Sequence, residues 1–144
     1  MTFACALLAL LIAAPPAAPP SLDDARREPD PKRRFERAIS LADAQAQAAR
    51  QIVRDHGLRA DLEKALATTG DAAQLALDSL RSTGRRPSKL SRQYKKGEVR
   101  TRELERFLND LALALSVEDR PLAEKAREQV GIVHEEFLLG VMSK

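Results

Sequence analysis

The sequence predicts an all-α protein, an antiparallel up-down four-helix bundle that follows an N-terminal leader. Alanine, leucine, glutamate, arginine, lysine and glutamine dominate the chain of 144 residues, and these residues lose little side-chain freedom on a helix. β-branched residues are sparse and never alternate with polar ones over the length of a strand. Apolar residues instead recur at intervals of three and four in four segments, which is the spacing of one helix face.

The leader is an uncharged apolar run, FACALLALLIAA, at residues 3–14. It is shorter than the roughly 20 residues that span a bilayer and suits the core of a signal peptide. The following AAPPAAPPS cannot continue a helix, because proline lacks the N–H donor and clashes with the preceding turn. We therefore expect a signal peptide over residues 1–20, export to the periplasm or the medium, and no transmembrane span after processing. The alternative is a buried N-terminal helix of a cytosolic protein, and the absence of Lys or Arg before the apolar run favours it.

Residues 21–30 are charged and contain Pro29, with Pro31 immediately after them, which predicts a disordered spacer. The bundle is then expected over residues 31–144, with Asp30 as the N-terminal cap of its first helix. We expect this helix to stop at Gly57, after His56.

The second helix is expected to start at about Leu58 and to continue through Gly70, because the apolar spacing stays in phase on both sides of the glycine. Gly84 and Pro87 are expected to end it. A basic loop is predicted over residues 84–97, followed by a third helix from about Glu98 to Leu115.

The fourth helix follows SVEDRP, in which Ser116 or Asp119 can cap it and Pro121 fits its first turn. Its final EEFLLGVM is apolar around more of the helix than one buried stripe requires. In an up-down bundle the first helix begins where the fourth ends, so Phe35 and Phe137 are expected to lie together at one end.

Three stretches carry a resemblance: RRPSKLSRQYKKGEVRTRELERFL at residues 85–108, SVEDRP at 116–121 and VHEEFLLGVM at 133–142. In this combination the chain resembles small exported all-helical bacterial proteins of unknown function. The resemblance implies export and a helical fold, and it implies no catalytic or binding residue.

Motifs for catalysis, metal binding or a cofactor are absent from the sequence. HEEFL lacks the second histidine of H-E-x-x-H, and there is no C-x-x-C-H, G-x-S-x-G or phosphate-loop motif. His56 and His134 are explained as a helix C-terminal residue and a half-exposed residue beside an apolar stripe. We therefore expect a protein that is not an enzyme, with no catalytic residue, no metal site and no cofactor.

The basic stretch between the second and third helices is the one candidate site. We take six of its cations as contacts for an anion or a partner, namely Arg85, Arg86, Lys89, Arg92, Lys95 and Lys96. The simpler interpretation is a solvated loop whose cations complement the end of a helix. If the site is functional, its partner is an anionic envelope polymer, a lipid headgroup or a protein. Nucleic acid is not expected, because export argues against it and Tyr94 alone is no stacking platform.

The predicted function is that of a non-catalytic binding or structural accessory of the cell envelope. The alternative is an enzyme or small-ligand carrier with a site inside the bundle. A polar cluster in an interior pocket would favour the alternative, and a dry interior of alanine and leucine would favour the accessory.

Overall fold

A computed structural model describes residues 20–143, in which all regular structure is helical. The all-α class is therefore confirmed for this part of the chain. The signal peptide expected over residues 1–20 lies outside the described residues, except for Pro20. The helices are α1 (Leu22–Arg26), α2 (Pro31–Arg54), α3 (Arg59–Arg81), α4 (Ser91–Ala114) and α5 (Arg120–Met142), with a 3₁₀ turn (Pro87–Leu90) before α4.

The prediction of a disordered spacer over residues 21–30 is wrong, because α1 occupies the first half of the segment and is fixed at both ends. The Ser21 hydroxyl accepts a hydrogen bond from the Asp24 N–H at 3.2 Å, and the Asp24 carboxylate accepts one from the Ser21 N–H at 3.3 Å. This reciprocal cap satisfies two helix-end donors at once. After the helix, the buried Glu28 carboxylate pairs with Arg37 of α2 at 2.9 Å.

The two ends of α2 follow the sequence closely. Asp30 accepts a hydrogen bond from the Arg33 N–H at 2.9 Å and Pro31 takes the first helical position, as predicted. At the other end the Gly57 N–H bonds to the Ile52 carbonyl at 2.8 Å. The left-handed residue of this C-terminal cap is His56, with φ of 50°, and not the glycine.

Helix α3 continues through Gly70, which confirms that part of the prediction. The glycine is buried where α5 crosses, and a Cβ atom there would overlap the side chain of Gln129. The glycine therefore permits a close approach of the two helices.

The predicted basic loop over residues 84–97 is mostly helical. After Gly84, with φ of 67°, the chain forms the 3₁₀ turn and then enters α4 at Ser91, seven residues before the expected start at Glu98. The inward side of this stretch is formed by Leu90, Tyr94 and Gly97. A glycine and a tyrosine were not recognised as buried positions among the lysines and arginines, so the helical spacing of apolar residues was missed.

Phe35 and Phe137 lie together at one end of the molecule, as predicted. Their ring centroids are 6.1 Å apart in an edge-on contact, and Tyr94 joins them with its centroid 5.8 Å from that of Phe137. Edge-on aromatic pairs stabilise a core beyond their buried area. This cluster ties the starts of α2 and α4 to the end of α5.

The four long helices form two hairpins, α2 with α3 and α4 with α5. Between the hairpins, α2 lies along α4 and α3 along α5, and each of these pairs begins at the same end. Glu36 of α2 pairs with Lys96 of α4, and Arg59 of α3 pairs at 2.7 Å with Asp119, the residue that precedes α5. Neighbouring helices are thus antiparallel within each hairpin and parallel between hairpins, whereas a ring of consecutive helices would make every neighbour antiparallel.

The core between α2 and α3 is built largely from small side chains. The close approach they allow is consistent with efficient packing of two helices. Its fully buried alanines include Ala38, Ala42, Ala46 and Ala49 of α2 and Ala72, Ala73 and Ala76 of α3.

Candidate anion-binding pole

The six cations chosen from the sequence are all exposed, but they are distributed over three kinds of local structure. Arg85 and Arg86 lie in the joint after α3, and Lys89 lies in the 3₁₀ turn. The other three lie in the first two turns of α4, at positions 92, 95 and 96.

Two of the six are engaged in ion pairs. Lys96 pairs with Glu36 of α2, and the Lys95 ammonium lies 3.6 Å from the Glu98 carboxylate on its own helix. Such exposed pairs contribute little to stability, yet they neutralise the two lysines locally. Lys95 and Lys96 are therefore weaker candidates for an anion contact than the sequence suggested.

The remaining four, Arg85, Arg86, Lys89 and Arg92, form no ion pair within the described residues. They share their end of the molecule with the start of α2, because the Arg34 guanidinium donates to the hydroxyls of Ser79 at 3.0 Å and Ser82 at 2.9 Å, just before the joint. Two further cations of α2 are exposed there and also lack an ion pair. We call these six the basic pole: Lys32, Arg33, Arg85, Arg86, Lys89 and Arg92.

Cations that complement a helix C-terminus account for only part of this pole. Arg85 and Arg86 follow the end of α3, where a positive charge is favourable. Lys32, Arg33 and Arg92 lie in the first turns of α2 and α4, where the partial charge of the helix is also positive. Neither first turn contains an acidic residue, although the Asp30 carboxylate caps α2. At those positions a cation is adverse by roughly 0.3–1 kcal/mol, so the simpler interpretation leaves them unexplained.

The opposite end of the molecule is mixed in charge. Asp119 pairs with Arg59 there, and the Arg120 guanidinium donates to the Ala112 and Leu115 carbonyls that end α4. Charges of both signs compensate one another at that end, so the unbalanced charge lies at the basic pole.

A buried carboxylate, Glu98, lies behind the pole and was not singled out in the sequence. Its side chain is 4% exposed, with Oε1 3.3 Å from His134 Nε2 and 3.2 Å from an Arg102 nitrogen. Oε2 has no hydrogen-bond partner within the described residues, although the Lys95 ammonium is 3.6 Å away. The chemistry of this cluster is that of a buried anion surrounded by cations.

The electrostatics of Glu98 favour its charged form. Burial acts to raise the pKa of this carboxyl, but the hydrogen bond to His134 and the charges of Arg102 and Lys95 outweigh it, so the pKa lies below its usual value. The signal for this residue was present in the sequence, since Glu98 is four residues before Arg102 and three after Lys95, spacings that place all three on adjacent parts of a helix.

Several features bear on catalysis or ligand transport. Within residues 20–143, no group of three or more histidine, cysteine, aspartate or glutamate side chains is arranged to hold a metal ion. An open groove of about 950 Å³ lies on the outer face between α4 and α5, lined by charges of both signs such as Arg106 and Glu124. No helix among the described residues combines the length and apolar character needed to cross a bilayer.

Comparisons of the chain with protein-family models, with curated proteins and with solved structures found no match. From its fold alone, the described part of the chain is an all-α protein of two stacked helical hairpins, with an excess of positive charge at the basic pole.

Proposed function

We propose that this protein is a non-catalytic binding or structural accessory of the cell envelope that binds anionic groups through the basic pole. The observation that carries the proposal is the pole itself, where six exposed cations at one end lack ion pairs within the described residues. An anion bound between them would relieve both their mutual repulsion and the adverse charge at the starts of α2 and α4.

The proposed partner presents phosphate or carboxylate groups, as a lipid headgroup, an envelope polymer or an acidic protein surface does. Guanidinium groups bind such oxygens through paired hydrogen bonds, and four of the six cations are arginines. Nucleic acid is a poorer candidate, because Tyr94 is 4% exposed within the core and offers no face for base stacking.

Export is part of the proposal and concerns the residues before Pro20. We propose a signal peptide over residues 1–20, a processed protein in the periplasm or the medium, and a mature four-helix bundle in which helix direction alternates along the chain. Mass spectrometry of the protein from its native host should detect an N-terminus between Ala14 and Leu22. A soluble species that begins at Met1 or Thr2 would contradict export.

The alternative function, an enzyme or a small-ligand carrier with an interior site, would depend on Glu98 and His134. Against it, the neighbouring cations already balance the carboxylate. The centre of the described helices is filled mainly by alanine and leucine side chains, which favours the binding accessory.

The test compares two fourfold variants that remove the same charge from different places. The pole variant is R85Q/R86Q/K89Q/R92Q. The control variant R54Q/K64Q/R106Q/K125Q removes four exposed cations that lie away from the pole and form no ion pair within the described residues.

Binding to soluble long-chain polyphosphate, measured by calorimetry at low and high salt, reads out the anion contact. Each cation near an anionic surface contributes up to about 1 kcal/mol, so the pole variant is expected to bind at least tenfold more weakly. The control variant should retain most of the affinity. High salt should weaken polyphosphate binding of the unmodified protein more than that of the pole variant. Equal losses in the two variants would show that only net charge matters and would refute the pole.

A further inference from the structure

The last turns of α5 expose a cluster of apolar side chains. Leu139 and Met142 are 61% and 69% exposed, and they are three residues apart on the helix, so they are neighbours on its surface. We call the cluster the apolar end, and it consists of Leu138, Leu139, Val141 and Met142. Contiguous exposed apolar surface marks sites that meet a partner or a membrane.

The apolar end lies beside the basic pole. Gly140 packs directly against the ring of Tyr94 in the first turn of α4, and the 3₁₀ turn that holds Lys89 contacts α5. Cations and exposed apolar side chains thus share one end of the molecule.

We propose that this end docks on the surface of a bilayer that contains anionic lipid, with the basic pole at the headgroups and the apolar end in the interfacial layer below them. The inference rests on the proposed anion-binding function and names its partner. A soluble polyanion would engage only the cations and leave the apolar end in water. A bilayer surface presents negative charge above an apolar layer, and this arrangement matches both features.

A second copy of the chain fits less well than a bilayer. A symmetric contact through this end would bring one basic pole close to another, and like charges facing each other across an interface are costly. The apolar end would gain burial in such a dimer, but the six cations of each copy would oppose it.

The insertion would be shallow. The inner face of α5 is held in the core by Val130, Val133 and Phe137, all fully buried. Only the outer side chains of the last turns are therefore available, which corresponds to a helix end lying in the interface and not crossing it.

The experiment uses the chain from Pro20 to Lys144, because the described core runs from Ala25 to Phe137 and is formed by the helices of this part. Far-UV circular dichroism checks that each variant is folded. The apolar variant is L139S/M142S. The control is L113S/V117S, which changes two apolar side chains of similar exposure at the opposite end of the molecule.

Co-sedimentation is measured with phosphatidylcholine vesicles that contain or lack phosphatidylglycerol. We expect binding only to the anionic vesicles. Since burying apolar side chains is favourable in proportion to their area, L139S/M142S should weaken vesicle binding by about tenfold or more. It should leave polyphosphate affinity unchanged, and L113S/V117S should alter neither.

A spectroscopic probe reports insertion directly, because the chain contains no tryptophan. The emission of M142W should shift to the blue with anionic vesicles and be quenched by brominated lipid. An unshifted spectrum, or vesicle binding that L139S/M142S leaves unchanged, would overturn the membrane inference while the polyphosphate result still supports the anion-binding function. A dimer that L139S/M142S abolishes, without vesicle binding, would assign the apolar end to a second copy and overturn the inference as well. If instead R85Q/R86Q/K89Q/R92Q bound polyphosphate as tightly as the unmodified protein, the proposed function itself would be refuted.

Discussion

Replacing Gly140 by alanine tests the contact that sets the end of α5 against the start of α4. A Cβ atom at this position would overlap the ring of Tyr94, which is 4% exposed and held against Phe137. Because the overlapping atoms belong to a rigid, buried ring, we expect a cost near the upper part of the range for overpacked cores, about 3 kcal/mol. Alanine recovers about 1 kcal/mol of helix propensity. G140A should therefore destabilise the protein by about 2 kcal/mol.

Gly131→Ala on the same helix is the matched control. A Cβ atom there would lie 3.2 Å from a carboxylate oxygen of Glu105, whose side chain is 40% exposed and can swing into solvent. The propensity gain should dominate, and G131A should stabilise the protein by about 0.5–1 kcal/mol. The same substitution thus has opposite signs at two positions of one helix.

The assay is urea unfolding followed by circular dichroism, with the dependence on urea checked for equality between variants. A double-mutant cycle with Tyr94→Ala assigns the cost, because removing the ring should cancel the penalty of G140A. A G140A protein at least as stable as the unmodified chain would refute the close packing of α5 on α4. If G131A destabilised the protein as much as G140A does, the loss of stability would come from placing alanine in α5 and not from overlap with the Tyr94 ring.

Three further predictions concern single residues. The pKa of Glu98 lies below its usual value of 4.5, so its carboxylate stabilises the fold above that pH, and this stabilisation is lost as the pH falls through the lowered pKa. E98Q should therefore flatten the acid part of a plot of melting temperature against pH. An unchanged plot would contradict the stabilisation of the buried Glu98 carboxylate by its neighbouring cations. His56 has a positive φ, so H56G should raise the free energy of unfolding by about 1 kcal/mol. A lower free energy of unfolding, measured by urea unfolding, would contradict the left-handed cap. Phe137 is fully buried between two aromatic rings, and F137A should cost about 3–5 kcal/mol, measured by the same unfolding assay; a loss below 1 kcal/mol would contradict its place in the core.

The sequence predicted the helices wherever apolar residues of ordinary size marked their buried side. The stripes of α2 and α3 gave their ends to within a few residues, and Asp30 and Pro31 fixed the start of α2 through known capping chemistry. The start of α4 was missed because its buried side includes Gly97, Glu98 and Thr101. A glycine that admits a phenylalanine ring and a glutamate balanced by cations do not look like a core from sequence alone.

The short helix α1 was missed for a related reason. Proline and charge predicted disorder, yet a two-residue cap and the ion pair of the buried Glu28 carboxylate with Arg37 hold the segment in place. The pairing of Glu28 depends on where α2 passes in space. A rule based on local composition contains no such information.

The packing order of the helices could not be read from their spacing either. Apolar stripes show that each helix has a buried side, but not which neighbour covers it. Here α2 faces α4 and α3 faces α5 through contacts between residues about sixty positions apart, such as Lys96 with Glu36. The contact with Glu36 also determined that Lys96 is paired.

The difference between paired and unpaired cations yields a last prediction, which separates the site chosen from sequence from the one defined by the structure. Lys95 and Lys96 each face a carboxylate, and they lie one turn further along α4 than Arg92. Arg85 and Arg86 have no ion pair within residues 20–143 and occupy the joint at the tip of the molecule.

Both pairs carry the same formal charge, so a partner that senses only net charge would respond equally to their loss. A partner that contacts the tip would respond more to the arginines, because the carboxylates of Glu98 and Glu36 already offset the charges of the two lysines. We expect R85Q/R86Q to weaken polyphosphate binding by about tenfold, with up to about 1 kcal/mol lost per cation, and K95Q/K96Q to weaken it by less than threefold. Calorimetry at physiological salt measures both, and a larger loss from K95Q/K96Q would place the contact along the side of α4 and not at the tip.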